Sequence, residues 1–188
     1  MNNKRNEDSA SRSIWANGQS LELPDAIRTM FGLTLLDANG DRPIYFCSPW
    51  MSDFPVFDNA FGEFASLFPD LADQRQIRFS DFLIELANVT EVRIVTIRSE
   101  TSRSFLANSR ISRHRGIRIR FADDSLHEKG ILTPRFYLEG SMNITFMGVR
   151  VRKEKLQLHS DRTNSGISAI GTAFLEFDRR WMQLHAIE

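Results

Sequence analysis

A chain of 188 residues, 41% hydrophobic and 26% charged, is long enough to bury a full core and has an ordinary globular composition, which sets aside the disordered and fibrous classes. Its 24 basic and 24 acidic side chains cancel, and a single cysteine, Cys47, excludes an internal disulfide framework and a cysteine-based zinc site, as suits a reducing compartment. The opening MNNKRNEDSASRS lacks the apolar core of a signal peptide and no window is apolar for the length of a membrane span; the expectation is a cytoplasmic protein without membrane association, with a loose tail over residues 1–13 and one domain over 14–188.

The stretch from Leu21 to Leu36 is a candidate additional helix. Pro43 to Cys47 is a short apolar run that stops at Ser48-Pro49-Trp50, which predicts a central strand ending in a loop. Phe61, Phe64 and Leu67 are spaced as on a helix, so Asp58–Leu67 is predicted helical; a further helix is predicted over Asp81–Ala87, capped by Ser80. Val92 to Ile97 is rich in β-branched residues and predicts a strand buried on both faces. Ser99 opens the next helix, with Phe105, Leu106 and Ser109 on its inner side, and Gly116 closes the turn that follows. Ile117 to Phe121 alternates apolar and basic residues, which places its arginines on an outer face.

After the turn Asp123-Asp124-Ser125, a strand is predicted from Leu126, with Phe136-Tyr137-Leu138 returning as a hairpin. His127 and Lys129 share one face of that strand, because strand side chains repeat with period two. An imidazole with an ordinary pKa near ~6.5 is largely neutral and nucleophilic at pH 7, so His127 is the candidate to attack phosphorus, while Lys129, Ser141 and Asn143 would hold the oxygens. A strand holding Glu154 is followed by His159, and the last helix carries Ile167, Ile170, Phe174, Phe177, Trp181 and Leu184 as one apolar stripe behind Asn164-Ser165-Gly166. That stripe is assigned to the core, with a subunit contact as the alternative. His114, His159 and His185 lack the spacing of a metal set.

Charge is unevenly distributed. Residues 1–92 hold 7 basic and 14 acidic side chains, whereas residues 93–155 hold 14 basic and 6 acidic ones, a net +8 around His127. Arginine dominates this third, and its planar fork suits phosphate, so the chain reads as a binder of a polyanion; Arg118, Arg120 and Lys153 are candidate substrate contacts beside Ser141.

The spacing H-x-K, ten intervening residues, G-S-x-N and then Thr145 resembles the HKD motif of the phospholipase D superfamily. The resemblance implies an α/β fold, a mixed β-sheet flanked by helices on both faces. It implies His127 as nucleophile, Lys129 and Asn143 as phosphate ligands, and Glu154, nine residues after Thr145, as the group that orients the histidine. No metal and no other cofactor is expected. Pro134 stands where that family carries an aspartate. Because the family's reaction needs two histidines and this chain has one motif, a homodimer is expected. The arginine-rich third favours DNA or RNA over lipid, giving a metal-independent phosphodiesterase, a nuclease, as the first expectation. The alternative is a catalytically silent nucleic-acid-binding or scaffolding subunit with further protein partners, since small bacterial chains of this resemblance also occur in multi-protein anti-phage defence systems.

Overall fold

The computed structural model describes residues 11–16 and 20–186 of the chain. Residues 1–10 of the expected tail lie outside this range, and Arg12 and Ser13 already belong to a strand, β1 (Arg12–Ala16). The candidate added helix forms as α1 (Glu22–Asp37), with Glu22 and Asp25 in its first turn, where carboxylates complement the helix dipole. It leads into β2 (Ile44–Cys47), all four residues of which are buried, as a strand covered on both faces requires.

From the end of β2 the chain makes an excursion into a small hairpin of β3 (Pro55–Asp58) and β4 (Gln76–Arg78). The helix predicted over Asp58–Leu67 does not form. Asn59 is buried and its side chain takes over the local backbone: its amide nitrogen donates to the carbonyls of Ala72 (3.1 Å) and Gln74 (3.0 Å), and its oxygen accepts the Phe64 N–H (2.8 Å). An asparagine that offers such bonds competes directly with a helical ladder, and the segment winds through turns instead, leaving Phe61 exposed.

The next helix, α2 (Phe79–Ala87), starts two residues earlier than predicted. Ser80 lies inside its first turn rather than capping it. Two carboxylates satisfy the helix start, Asp81 accepting the Arg78 N–H (3.1 Å) and Asp53 accepting the Ser80 N–H (3.0 Å). Then β5 (Val92–Thr96) pairs parallel with β2. Ser99 caps α3 (Glu100–Leu106) by accepting the Ser102 N–H, as expected, but the helix ends at Leu106 and Ser109 opens a separate turn, α4 (Ser109–Ser112). β6 (Ile117–Phe121) follows, parallel to β5.

The second half of the sheet is antiparallel. β7 (Gly130–Leu132) and β8 (Phe136–Gly140) form the expected hairpin, although β7 begins at Gly130, so residues 126–129 approach the sheet without joining its ladder. A short helix, α5 (Phe146–Arg150), precedes β9 (Glu154–Ser160), which includes His159; α6 (Asn164–Gln183) and β10 (His185–Ala186) complete the chain. The eight-stranded order is β1-β9-β8-β7-β2-β5-β6-β10, mixed as anticipated, with β2 near its middle.

Two cores cover the two faces. Under α1, α2 and the α3–α4 segment lies a phenylalanine cluster in which Phe31 stacks on Phe82 at 4.1 Å between ring centroids and Phe79 stacks on Phe54 and Phe105. On the opposite face α6 lays Ile170, Phe174, Phe177 and Trp181 against Tyr45, Cys47 and Tyr137. The inner line of α6 passes through Gly166 and Ile170, which turns Ile167 outwards to 55% exposure and removes it from the predicted stripe. Beneath α6, the Tyr45 hydroxyl donates to Asp178 and accepts from Arg93; burial first, and then the Asp178 carboxylate, push the phenol well above its ordinary range.

Phe82 is fully buried and stacked, so Phe82→Ala is expected to lower stability by about 3–5 kcal/mol, read as a lower urea midpoint with an unchanged slope.

Candidate active site

The parallel strands β2, β5 and β6 all end on one side of the sheet, and the antiparallel pairing of β7 on β2 makes β7 begin there. Gly130, the first residue of β7, pairs with Cys47, the last of β2, and with Glu139 near the end of β8. β9 starts at the same side with Glu154. Carboxyl ends of parallel strands are where open α/β sheets place their sites, and here they receive the motif residues as well.

Leu126 packs into the α6 core and Glu128 pairs with Arg180 of α6, so residues 126 and 128 face α6. Within β7, Ile131 lies in the phenylalanine core on the other face. His127 and Lys129 precede the ladder, so the strand repeat behind the one-face expectation does not extend to them. His127 is exposed, and the Lys129 ammonium turns back to donate to the His127 carbonyl (2.7 Å).

Gly140 ends β8 at φ +147, a conformation L side chains rarely adopt; a Cβ there would lie 2.3 Å from the Lys155 carbonyl oxygen. That close approach lets the chain leave the strand so that the Ser141 N–H donates to the Lys155 carbonyl (3.2 Å). The Ser141 hydroxyl donates to a carboxylate oxygen of Glu154, itself only 7% exposed. Asn143 is 6% exposed; its side-chain oxygen lies 3.3 Å from the Ser48 hydroxyl, while its amide nitrogen makes no protein hydrogen bond among the described residues, leaving N–H donors for an incoming oxygen. Ser48 also accepts the Ile144 N–H (3.2 Å), which fastens this loop to the end of β2. Thr145 caps α5 through the Gly148 N–H (3.1 Å).

The segments that carry His127, Lys129, Ser141, Asn143 and Glu154 therefore all lie at one end of the sheet. No hydrogen bond joins the His127 ring to Glu154 among the described residues; Ser141 occupies the carboxylate instead. Lys153 is exposed beside Glu154. Arg118 sits on β6, three strands from β7 and so roughly 14 Å away across the sheet. Arg120 is not on an outer face: it stacks over Trp181 at 4.4 Å and donates to the Leu184 carbonyl (3.0 Å), which commits it to holding the end of α6.

Pro134 lies at the far end of β7 from His127, five residues beyond Lys129 and so roughly 16 Å along an extended chain. Thr133 organises that turn, its hydroxyl accepting the N–H groups of Arg135 (3.3 Å) and Phe136 (2.9 Å). A cavity of about 220 Å³ opens at this distal end, lined by Arg42, Thr133, Pro134 and Arg135 among others, and contains none of the motif side chains. Among the described residues no cluster of three His, Cys, Asp or Glu side chains is arranged to hold a metal.

Sequence reasoning missed Ser48, the partner of Asn143, and a cavity of about 380 Å³ that adjoins Asn143 and is lined by Trp50, Phe146, Met147 and Arg152. Ser48-Pro49-Trp50 was legible as the stop after β2, but its proximity to residues 143–146, through a bridge between Met51 and Ile144, was not.

No family model and no curated protein matches the sequence. Solved structures do match. Nuc from Salmonella typhimurium, a phospholipase D family member, superposes with a TM-score of 0.60 at 14% identity over 95% of this chain and 97% of its own. NucT from Helicobacter pylori gives 0.61 at 10% identity over 94% and 98%. TrmBL2, an archaeal chromatin protein described with a novel mode of DNA binding, gives 0.54 at 9% identity over 98% of this chain and 57% of its own. No helix among the described residues is long and apolar enough to cross a membrane.

Gly140→Ala is expected to cost about 1–3 kcal/mol, since it combines a strained φ with a backbone collision, and to shift the amide resonances of Ser141 and Asn143 in an NMR comparison with wild type. Burial pushes the Cys47 thiol up to about 11, against the opposing pull of Arg180 and Lys129, so at pH 7.5 iodoacetamide should label it only after the protein is unfolded.

Proposed function

From the phospholipase D fold that this chain carries, we propose that it is a metal-independent phosphodiesterase acting on DNA or RNA through a phosphohistidine on His127, in a homodimer. The observation that carries this reading is that the segments holding His127, Lys129, Asn143 and Glu154 all lie at the end of the sheet where β2 stops and β7 begins. The DNA binding described for TrmBL2 and the net +8 of residues 93–155 support a nucleic-acid substrate.

In the proposed reaction an imidazole nitrogen of His127 attacks the phosphorus, and the bond to the leaving oxygen breaks as that oxygen takes a proton from His127 of the partner subunit. Water then attacks the phosphohistidine, giving its proton to that second imidazole, and releases a phosphomonoester with both histidines restored. Lys129 and the unpaired amide N–H groups of Asn143 stabilise charge on the non-bridging oxygens. Ser48 fixes the Asn143 amide, and Ser141 holds Glu154 in place. One motif per chain leaves the proton donor to a second copy across a twofold axis.

A second reading, a silent nucleic-acid-binding or scaffolding subunit of a larger assembly, draws on Glu154 being engaged by Ser141 rather than by the His127 ring. Pro134 lends it little, because that residue lies at the opposite end of β7.

Cleavage of a labelled oligonucleotide in the presence of a chelator, with wild type and His127→Ala compared, separates the two readings. The enzyme reading expects chelator-resistant cleavage, an acid-labile phosphoenzyme on His127, and complete loss in the variant. Asn143→Ala is expected to reduce kcat by about 10²–10³ as a lost oxyanion donor. Cleavage that survives His127→Ala, or that chelation abolishes, overturns the mechanism; binding without cleavage selects the scaffold. Gel filtration is expected to give a dimer.

A further inference from the structure

Trp50, Phe146 and Met147 are 45%, 47% and 46% exposed, and they surround one groove of about 380 Å³ with Arg152 at its rim and Asn143 at its inner end. Isolated exposed apolar residues are common, but an indole, a phenyl ring and a thioether facing one groove are a concentrated surface. The walls are fixed. On one side the Trp50 carbonyl lies 2.8 Å from the Ser48 hydroxyl and the Met51 N–H donates to Ser102 (3.2 Å). On the other, Thr145 caps α5 and the Phe146 N–H donates to Ser52 (3.3 Å), while the Ser52 N–H donates to the Ile144 carbonyl (3.0 Å) and so ties wall to wall. The hydroxyls of Ser48, Ser52, Ser102 and Thr145 thus hold backbone that presents large side chains to solvent.

The charge of the groove points to its occupant. Among the described residues no carboxylate lines it and its one ionised side chain is Arg152, with Lys153 next in sequence; of the acids next to lining residues, Asp53 is paired with Arg78 and Glu100 opens α3. Flat, apolar walls beside a cation and next to an asparagine with free N–H donors match an unpaired nucleobase whose own phosphate lies on Asn143 and whose neighbouring phosphate meets Arg152. A base still paired in a duplex has its faces covered by the adjacent base pairs and offers nothing to these walls. A purely apolar partner surface would leave Arg152 without a counter-charge.

We propose that Trp50 and Phe146 form a stacking platform for the base next to the reacting phosphate, so that the chain selects single-stranded nucleic acid. This rests on the nuclease reading and adds specificity residues to it.

The test is binding by the full-length chain carrying His127→Ala, which removes the proposed nucleophile, measured by fluorescence anisotropy with three probes: a single-stranded oligonucleotide, the same sequence as a blunt duplex, and a single strand with abasic positions. The single strand is expected to bind best. Trp50→Ala or Phe146→Ala is expected to weaken it by about ten- to a hundredfold, with the duplex and abasic probes barely affected and Trp50→Phe largely restoring affinity. Both side chains are half exposed, and unchanged thermal melting confirms that the variants fold. Equal affinity for single strand and duplex, or parallel loss on all three probes, overturns the platform while leaving the nuclease reading intact. Loss of the dimer by gel filtration in the alanine variants overturns it in favour of a seam between two copies. Absence of binding to any probe overturns both proposals.

Discussion

Where β7 lies antiparallel on β2, the carboxyl end of a parallel half-sheet meets the amino end of the strand that follows His127. Had β7 run parallel, His127 and Lys129 would have emerged beside Pro43, at the end of the molecule that holds the small distal cavity. The reversed direction instead sets them beside Ser48, and the hairpin to β8 returns the chain so that Gly140, Ser141 and Asn143 arrive at the same place. Pairing of β9 with β8 adds Glu154. The segments carrying five candidate side chains, spread over 27 intervals of sequence, are brought to one end of the sheet by three strand pairings.

Each core face has its own task in holding that arrangement. The phenylalanine cluster fixes the helices that follow β2 and β5, and through Ser102 of α3 it also anchors the loop beyond β2. The α6 face works by polar pinning as well as by packing: Arg93 joins Tyr45 to Asp178, Arg120 lies over Trp181, and Arg180 reaches Glu128, between the two motif residues. Arg93 and Arg120 of the basic third are therefore structural. The basic side chains of this third that are left exposed fall into three groups, Arg98, Arg103 and Arg110 from the end of β5 to α4, Arg113, Arg115 and Arg118 around the beginning of β6, and Arg152, Lys153 and Lys155 around the start of β9, the last group lying at the candidate site. A sum over sequence treats these groups alike, whereas screening confines the reach of an exposed charge to about 8–10 Å, so position in the fold decides which of them act at one place.

The strands were legible because their signal is local. Ile44 to Cys47, Val92 to Thr96 and the hairpin around Pro134 announce themselves by β-branched runs and turn residues, and the deep core of α6 by the three- and four-residue spacing of Ile170, Phe174, Phe177 and Trp181. Asp58–Leu67 misled for an equally clear reason. Its phenylalanine spacing is helical, but Asn59 bonds to Ala72 and Gln74, and such partners, 13 and 15 residues away, leave no trace in a local pattern. Ser80 and Asp53 tell the same story at the start of α2.

The H-x-K and G-S-x-N spacings were legible as a candidate constellation in the amino-acid order, because they are short and local, as is the glycine whose backbone conformation ends β8. The sequence by itself determined the uneven charge as well. The folded chain was needed to bring Ser141 to Glu154, Ser48 to Asn143, Arg120 to a helix end, and Trp50 and Phe146 to one groove. Those are contacts between segments 13 to 96 residues apart, and a chain's local preferences say nothing about which distant segment will arrive until the sheet order and its register have been set.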